Sequence, residues 1–190
     1  KFLRQTGTGT VSAAPAWGTI HGTVRSGKTV IAADLCDRLQ PPMTFICERL
    51  DIARQAVSHL EKTRYSVGLI GNGRYEDGDI VVSTVQSACQ AFDQPPPFRD
   101  KTEQDLTGNE KFLAQSRLRA TKFLVIDEAH HVAAQSYRRV LRQMKHRYGT
   151  LGLSGTPWRD DGADILIEAY SGPICYTVDY RTLIQSGWLV

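Results

Sequence analysis

Gly22, Thr23, Val24, Arg25, Ser26, Gly27, Lys28 and Thr29 follow the order glycine, four variable residues, glycine, lysine, threonine. Residues of these types at this spacing can hold a polyphosphate. The glycines let the chain curl so that successive backbone N–H groups converge on phosphate oxygens. Lys28 supplies a point charge for the β- and γ-phosphates, and the Thr29 hydroxyl can ligate Mg²⁺. Apolar helical periodicity over residues 30–39 would aim a helix N-terminus at the same anion.

About a hundred residues further on, Phe123, Leu124, Val125 and Ile126 lead into Asp127, Glu128, Ala129 and His130. A short, wholly apolar run reads as a central strand of a parallel sheet covered on both faces. Carboxylates at its C-terminal end emerge where α/β sheets bind ligands. Asp127 is then placed to hold Mg²⁺ through water, and Glu128 to polarise an attacking water as general base. A lone Asp-Glu pair can also be an acidic helix start; its separation from the glycine loop favours the metal–triphosphate reading.

The elements that must position these groups alternate between short apolar runs and helical periodicity, the signature of an α/β parallel sheet. Strands are expected at 17–21, 44–47, 67–70, 80–83, 123–126, 150–154 and 174–177. Helices are expected at 30–39, 51–62, 85–92, 136–148, 164–170 and 180–186. Ile31, Leu35 and Leu39 mark the buried face of the first helix, and Ile52, Ala56 and Leu60 that of the second. Residues 93–120 open on Pro95, Pro96 and Pro97 and carry mixed charge; they read as a surface insertion with one short helix over 110–119.

The chain of 190 residues, 41% hydrophobic and 23% charged, describes one soluble domain spanning 1–190. A formal charge of +3 is too mild to prove a nucleic-acid partner. No stretch has the length and apolarity of a membrane span, and nothing resembles a signal peptide. Cys36, Cys47, Cys89 and Cys175 form no C-x-x-C pair, so buried reduced thiols in a cytoplasmic protein are expected. The first residue is Lys1 rather than methionine, and the chain is expected to be part of a longer polypeptide.

With both phosphate-site elements in place, the remaining motifs resemble the first RecA-like domain of a superfamily 2 DEAH-box helicase. The branch it resembles contains type III restriction subunits and excision-repair helicases. Residues 22–29 match motif I, 45–55 motif Ia, 80–87 motif Ib, 127–130 motif II and 153–157 motif III, in correct order. The stretches 158–162 and 183–190 fit the same branch. Two departures stand out: Gly155 replaces the usual alanine of motif III, and Arg25 adds a charge inside the loop.

The resemblance implies a RecA-like P-loop fold, a mostly parallel sheet with helices on both faces. It implies ATP and Mg²⁺ as ligands, Gln5 as adenine reader, and His130, Ser154 and Thr156 as the link between the γ-phosphate and nucleic acid. Arg49, Thr84 and Gln86 fall at strand-to-helix junctions and would grip a phosphate backbone; for Thr84 and Gln86, helix capping by Thr84 is the competing reading. His131 reads as a helix-start or surface residue, and Arg138, Arg139, Arg142, Lys145 and Arg147 as a solvated face. The implied activity is an ATP-driven helicase or translocase motor on duplex DNA, completed by a second RecA-like domain of the same polypeptide. Without that domain, hydrolysis is expected to be weak. The alternatives are the motor of a type I or III restriction endonuclease subunit, or a non-catalytic nucleotide-dependent switch.

Overall fold

The computed structural model describes residues 16–22, 27–156 and 164–178. Gln5, Thr23, Val24, Arg25 and Ser26, the segments 158–162 and 183–190, and the helix expected at 180–186 lie outside the described residues. In chain order the elements are β1 (Ala16–Gly22), α1 (Lys28–Asp37), β2 (Met43–Cys47), α2 (Leu50–Leu60), β3 (Val67–Gly71) and β4 (Arg74–Tyr75). There follow β5 (Ile80–Thr84), α3 (Val85–Ala91), α4 (Gly108–Arg119), β6 (Phe123–Ile126), a 3₁₀ turn (Ala129–Ala133) and α5 (Gln135–Gln143). β7 (Gly149–Ser154), α6 (Asp164–Ser171) and β8 (Ile174–Val178) complete the set.

One sheet holds all the described strands in the order β4-β3-β5-β2-β6-β7-β1-β8. Every pairing is parallel except the β3–β4 hairpin. Strands β2, β5, β6 and β7 are buried along their whole length; in β2, β5 and β6 this matches largely apolar runs, whereas β7 also buries Thr150 and Ser154. Alternate residues feed opposite faces. Ile46, Leu124 and Ile126 join a core under α3, α4 and α5, whereas Phe45, Cys47, Phe123 and Val125 join the core under α1 and α2. The expected mostly parallel sheet covered on both faces is what the chain forms.

Several local expectations change. α1 buries Ala32, Ala33 and Cys36, with Ile31, Leu35 and Leu39 only partly covered, because small side chains let the helix lie close on the sheet. The expected helix over 136–148 ends at Gln143, where the Arg147 guanidinium takes the Leu141 and Met144 carbonyls, both at 2.7 Å. Residues 93–120 are not a surface insertion throughout: α4 packs Ala114, Arg117 and Leu118 into the structure, and Glu103 and Leu106 are buried ahead of it. Among the cysteines, Cys36, Cys47 and Cys89 are buried and reduced, and Cys175 is exposed. No helix among the described residues is long and apolar enough to cross a membrane.

Arg117 secures the edge of the sheet away from the site. Its Nη2 donates to the carbonyls of Met43 (3.0 Å), Gly78 (3.0 Å) and Asp79 (3.1 Å), joining α4 to the beginnings of β2 and β5. At the other flank, β1 is tied in through Thr19. Its N–H donates to the Pro173 carbonyl at 2.8 Å, and its buried hydroxyl reaches the Gly172 carbonyl at 2.9 Å and the Ser171 hydroxyl at 3.0 Å.

Candidate functional site

β1, β7 and β6 lie side by side, with His21 opposite Ser154 and Gly152 opposite Ile126. This register brings the Gly22 end of β1, the Ser154–Gly155–Thr156 turn after β7 and the acidic pair after β6 to one edge. Gly27 has φ +76°, a left-handed conformation that suits glycine, and hands the chain into α1. Lys28, the first helical residue, is only 9% exposed, and its Nζ donates to the Gly22 carbonyl at 2.8 Å. Its ammonium lies close enough to Asp127 and Glu128 to favour ionisation of both. The lysine and the acidic dyad therefore lie within electrostatic range at one edge of the sheet.

The two neighbouring carboxylates are driven apart. Burial, and then the adjacent Glu128 charge, push the Asp127 carboxyl up to about 6, against the pull of the Glu128 backbone N–H, Lys28 and His130. Glu128 is held below the ordinary carboxylate range, chiefly by its hydrogen bond with His130, against the opposing effect of burial. Its backbone is left-handed, φ +47° and ψ +56°, a conformation that costs a non-glycine residue about 1–3 kcal/mol and clusters at functional positions. One group of the pair is thus kept ionised, while burial and that neighbouring charge make the other harder to ionise.

His130 connects this pair to the neighbouring strand. Its Nδ1 lies 3.3 Å from Glu128 Oε2 and 3.3 Å from the buried Ser154 hydroxyl. That hydroxyl accepts the Thr156 N–H at 3.2 Å. His130, Ser154 and Thr156, expected as a group, do come together. Gly155 faces Gly22 and Lys28: a Cβ there would lie 3.6 Å from the Gly22 carbonyl, ordinary contact, so alanine would fit as well. Thr29 sits half-buried one residue beyond Lys28 on α1.

The nucleic-acid candidates divide. Arg49, at the start of α2, is exposed, with Asp51 3.2 Å away. Thr84 and Gln86 are fully buried and present nothing to solvent. The Thr84 hydroxyl accepts the Ser87 N–H at 3.1 Å, so it does cap α3, and it donates to Glu103 at 2.6 Å. Arg139, Arg142 and Lys145 face solvent as expected, whereas Arg147 serves the helix end.

Two participants carry no local sequence signal. His131 is not merely a surface residue: its ring lies 4.2 Å from that of His130, and its Nε2 is 3.7 Å from Glu48. Glu103 comes from the loop between α3 and α4 and reaches the end of β5. Only the tertiary arrangement reveals either contact.

This loop, dyad and sheet order define a RecA-like domain of the superfamily 2 helicase type. The UvsW helicase of bacteriophage T4 has the same fold over 85% of this chain and 54% of its own, with a TM-score of 0.62 and 17% identity. The Hef helicase domain of Pyrococcus furiosus matches 87% of this chain and 35% of its own, with a TM-score of 0.61 and 14% identity.

The family described as type III restriction enzyme, res subunit, matches residues 13–159, and this chain belongs to it. The DNA 3'-5' translocase XPB2 of Sulfurisphaera tokodaii is 28% identical over 80% of this chain. Putative helicase 22 of a Sulfolobus islandicus filamentous virus is 39% identical over 35% of it. The chain spans 29% of the length of the translocase and 12% of that of the viral protein.

Proposed function

We propose that this domain is the ATP-binding half of a nucleic-acid motor, acting on duplex DNA together with a second RecA-like domain. The observation that carries the reading is the buried Lys28 ammonium, held at the Gly22 carbonyl within electrostatic reach of both Asp127 and Glu128. A triphosphate entering there would take Lys28 from the carbonyl, and the loop N–H groups, with Lys28, would hold its β- and γ-phosphates. Support for DNA and for a second domain comes from the translocase relative and from the small share of its length that this chain spans.

Thr29 and Asp127 would hold Mg²⁺. Their oxygens are hard donors, and burial and the Glu128 charge keep the Asp127 carboxyl raised despite Lys28 and His130, so a further cation would fit it. When bound, the ion would neutralise charge on the β- and γ-phosphate oxygens. Glu128, kept ionised by His130, accepts the proton of the attacking water as its oxygen bonds the γ-phosphorus and the bridge to the β-phosphate breaks. Most of the acceleration comes from positioning and charge stabilisation. His130 and Ser154 would carry the state of that reaction to Thr156 and beyond.

The test is titration of a fluorescent ATP analogue with and without Mg²⁺. Wild type and Glu128→Gln should bind with similar affinity, and Lys28→Ala should not bind. In the polypeptide carrying both RecA-like domains, Glu128→Gln should hydrolyse at least about a hundredfold more slowly. Equal binding by Lys28→Ala would remove the nucleotide site from this loop. Turnover unaffected by Glu128→Gln would remove the base.

Membership of the type III restriction enzyme res-subunit family favours a second reading, the motor of a restriction endonuclease subunit. A nuclease domain encoded in the same gene would decide for it.

A further inference from the structure

Residues 99–106 run along α3 and are fastened to it at several points. The Asp100 N–H donates to Gln86 Oε1 at 2.7 Å, and the Leu106 N–H to Gln90 Oε1 at 3.0 Å. The Gln104 N–H donates to Asn72 Oδ1 at 3.2 Å, attaching the segment to the β3–β4 turn as well. Arg99 and Asp105, 2.7 Å apart, brace it internally.

At its centre Glu103 is only 5% exposed. One carboxylate oxygen accepts from the Thr84 hydroxyl at 2.6 Å, the Ser87 hydroxyl at 2.6 Å and the Asn72 N–H at 3.4 Å. Two hydroxyls and a backbone N–H converging on one oxygen make a seat for an anion, using the donor types that hold nucleic-acid phosphates. The seat lies at the C-terminal ends of β5 and β3, on the sheet edge that also carries the Gly22 end of β1. The exposed Arg49 is near enough to reinforce the ionised state of Asp100, which is set first by hydrogen bonds from Thr102.

Docking also carries a cost. The other carboxylate oxygen of Glu103 is buried with no hydrogen-bond donor among the described residues. A buried charged acceptor left without a donor is strongly unfavourable, which offsets much of what the short bonds contribute. A phosphate and the docked carboxylate cannot share the seat, because both are anions needing the same donors.

We propose that residues 99–106 are a self-occluding strap: Glu103 fills the phosphate seat of Thr84, Ser87 and Asn72, and a nucleic-acid phosphate displaces it, lifting the strap from α3. This rests on the nucleic-acid reading above and adds its regulation: the grip is closed until the substrate itself opens it.

The test is fluorescence anisotropy of a labelled DNA duplex with the intact chain at low salt. Glu103→Gln keeps an acceptor for the hydroxyls and removes the competing charge, so binding should tighten roughly tenfold. Adding Ser87→Ala to that variant should cancel the gain. Gln90→Ala, which loosens the strap without touching the seat, should tighten binding about threefold and stands in if Glu103→Gln does not fold. Hydrogen exchange should show the amides of Asp100, Gln104 and Leu106 losing protection at saturating duplex. Duplex bound with those amides still protected, and no gain in either loosened variant, overturns the strap and leaves the nucleic-acid reading standing. Failure of wild type and both loosened variants to bind duplex would remove both.

Discussion

Arg117→Met removes the clamp that joins α4 to the beginnings of β2 and β5, and its effect can be worked from the contacts. Methionine fills a similar volume but donates nothing, so the Met43, Gly78 and Asp79 carbonyls lose charge-assisted bonds of 3.0–3.1 Å. Each such bond contributes about 1.5–3 kcal/mol. Two effects reduce the sum. Burial already depresses the guanidinium's hold on its proton, and Nη1 is buried without an acceptor among the described residues, so removing Arg117 also relieves a desolvated charge. Asp79 keeps a second donor, the Met43 N–H at 2.9 Å.

The net destabilisation should be about 3 kcal/mol, equivalent to a fall in Tm of roughly 6–12 °C for a chain of this size. Urea unfolding measures it as a lower midpoint with unchanged slope. Because Arg117 sits at the N-terminal ends of the strands, binding of a magnesium–nucleotide probe at low temperature should be unchanged. A loss below about 1 kcal/mol, or a matching loss of nucleotide affinity in the folded variant, would refute the assignment of Arg117 as a remote clamp.

The buried Thr44 and Thr121 hydroxyls, 2.7 Å apart, should show strong coupling. Either valine substitution alone should destabilise by about 1–3 kcal/mol and the double substitution by less than the sum, read by a urea double-mutant cycle. Burial pushes the Cys36 and Cys89 thiols up to about 12 and Cys47 well above its usual value, so native chains at pH 8 should expose only Cys175 to a thiol reagent and all four after denaturation. The same groups favour the fold below about pH 9, and stability should fall as pH rises further, since the unfolded thiols ionise first; a flat stability profile between pH 8 and 10 would contradict this.

Much of the molecule is legible residue by residue. β2, β5 and β6 announce themselves because burial on both faces demands unbroken apolar runs, and Lys28 and the acidic pair stand out by residue type and spacing before the sheet order brings them to one edge. β1 is faint for a physical reason: its buried Thr19 looks like a surface residue until Ser171 and Gly172 supply its partners. β4 is invisible because two residues cannot show a period; the turn at Asn72 and Gly73, both with positive φ, creates it. The face of α1 is misjudged because close approach to the sheet favours Ala32, Ala33 and Cys36 over larger neighbours. Glu103 belongs to a mixed-charge stretch with no pattern at all, and only the fold brings it to Thr84.

The seating of β1 has a consequence for how the molecule is made. Its neighbours in the sheet are β7 and β8, with Ala16 opposite Gly149 and Thr19 opposite Ile174. During synthesis this segment leaves the ribosome before every other described strand, yet has no place to pair until those at the far end of the domain emerge. Closing so long a loop makes it a late event in assembly. The edge where Lys28 meets the acidic pair is thus completed only with the finished sheet, and no shorter nascent intermediate holds it.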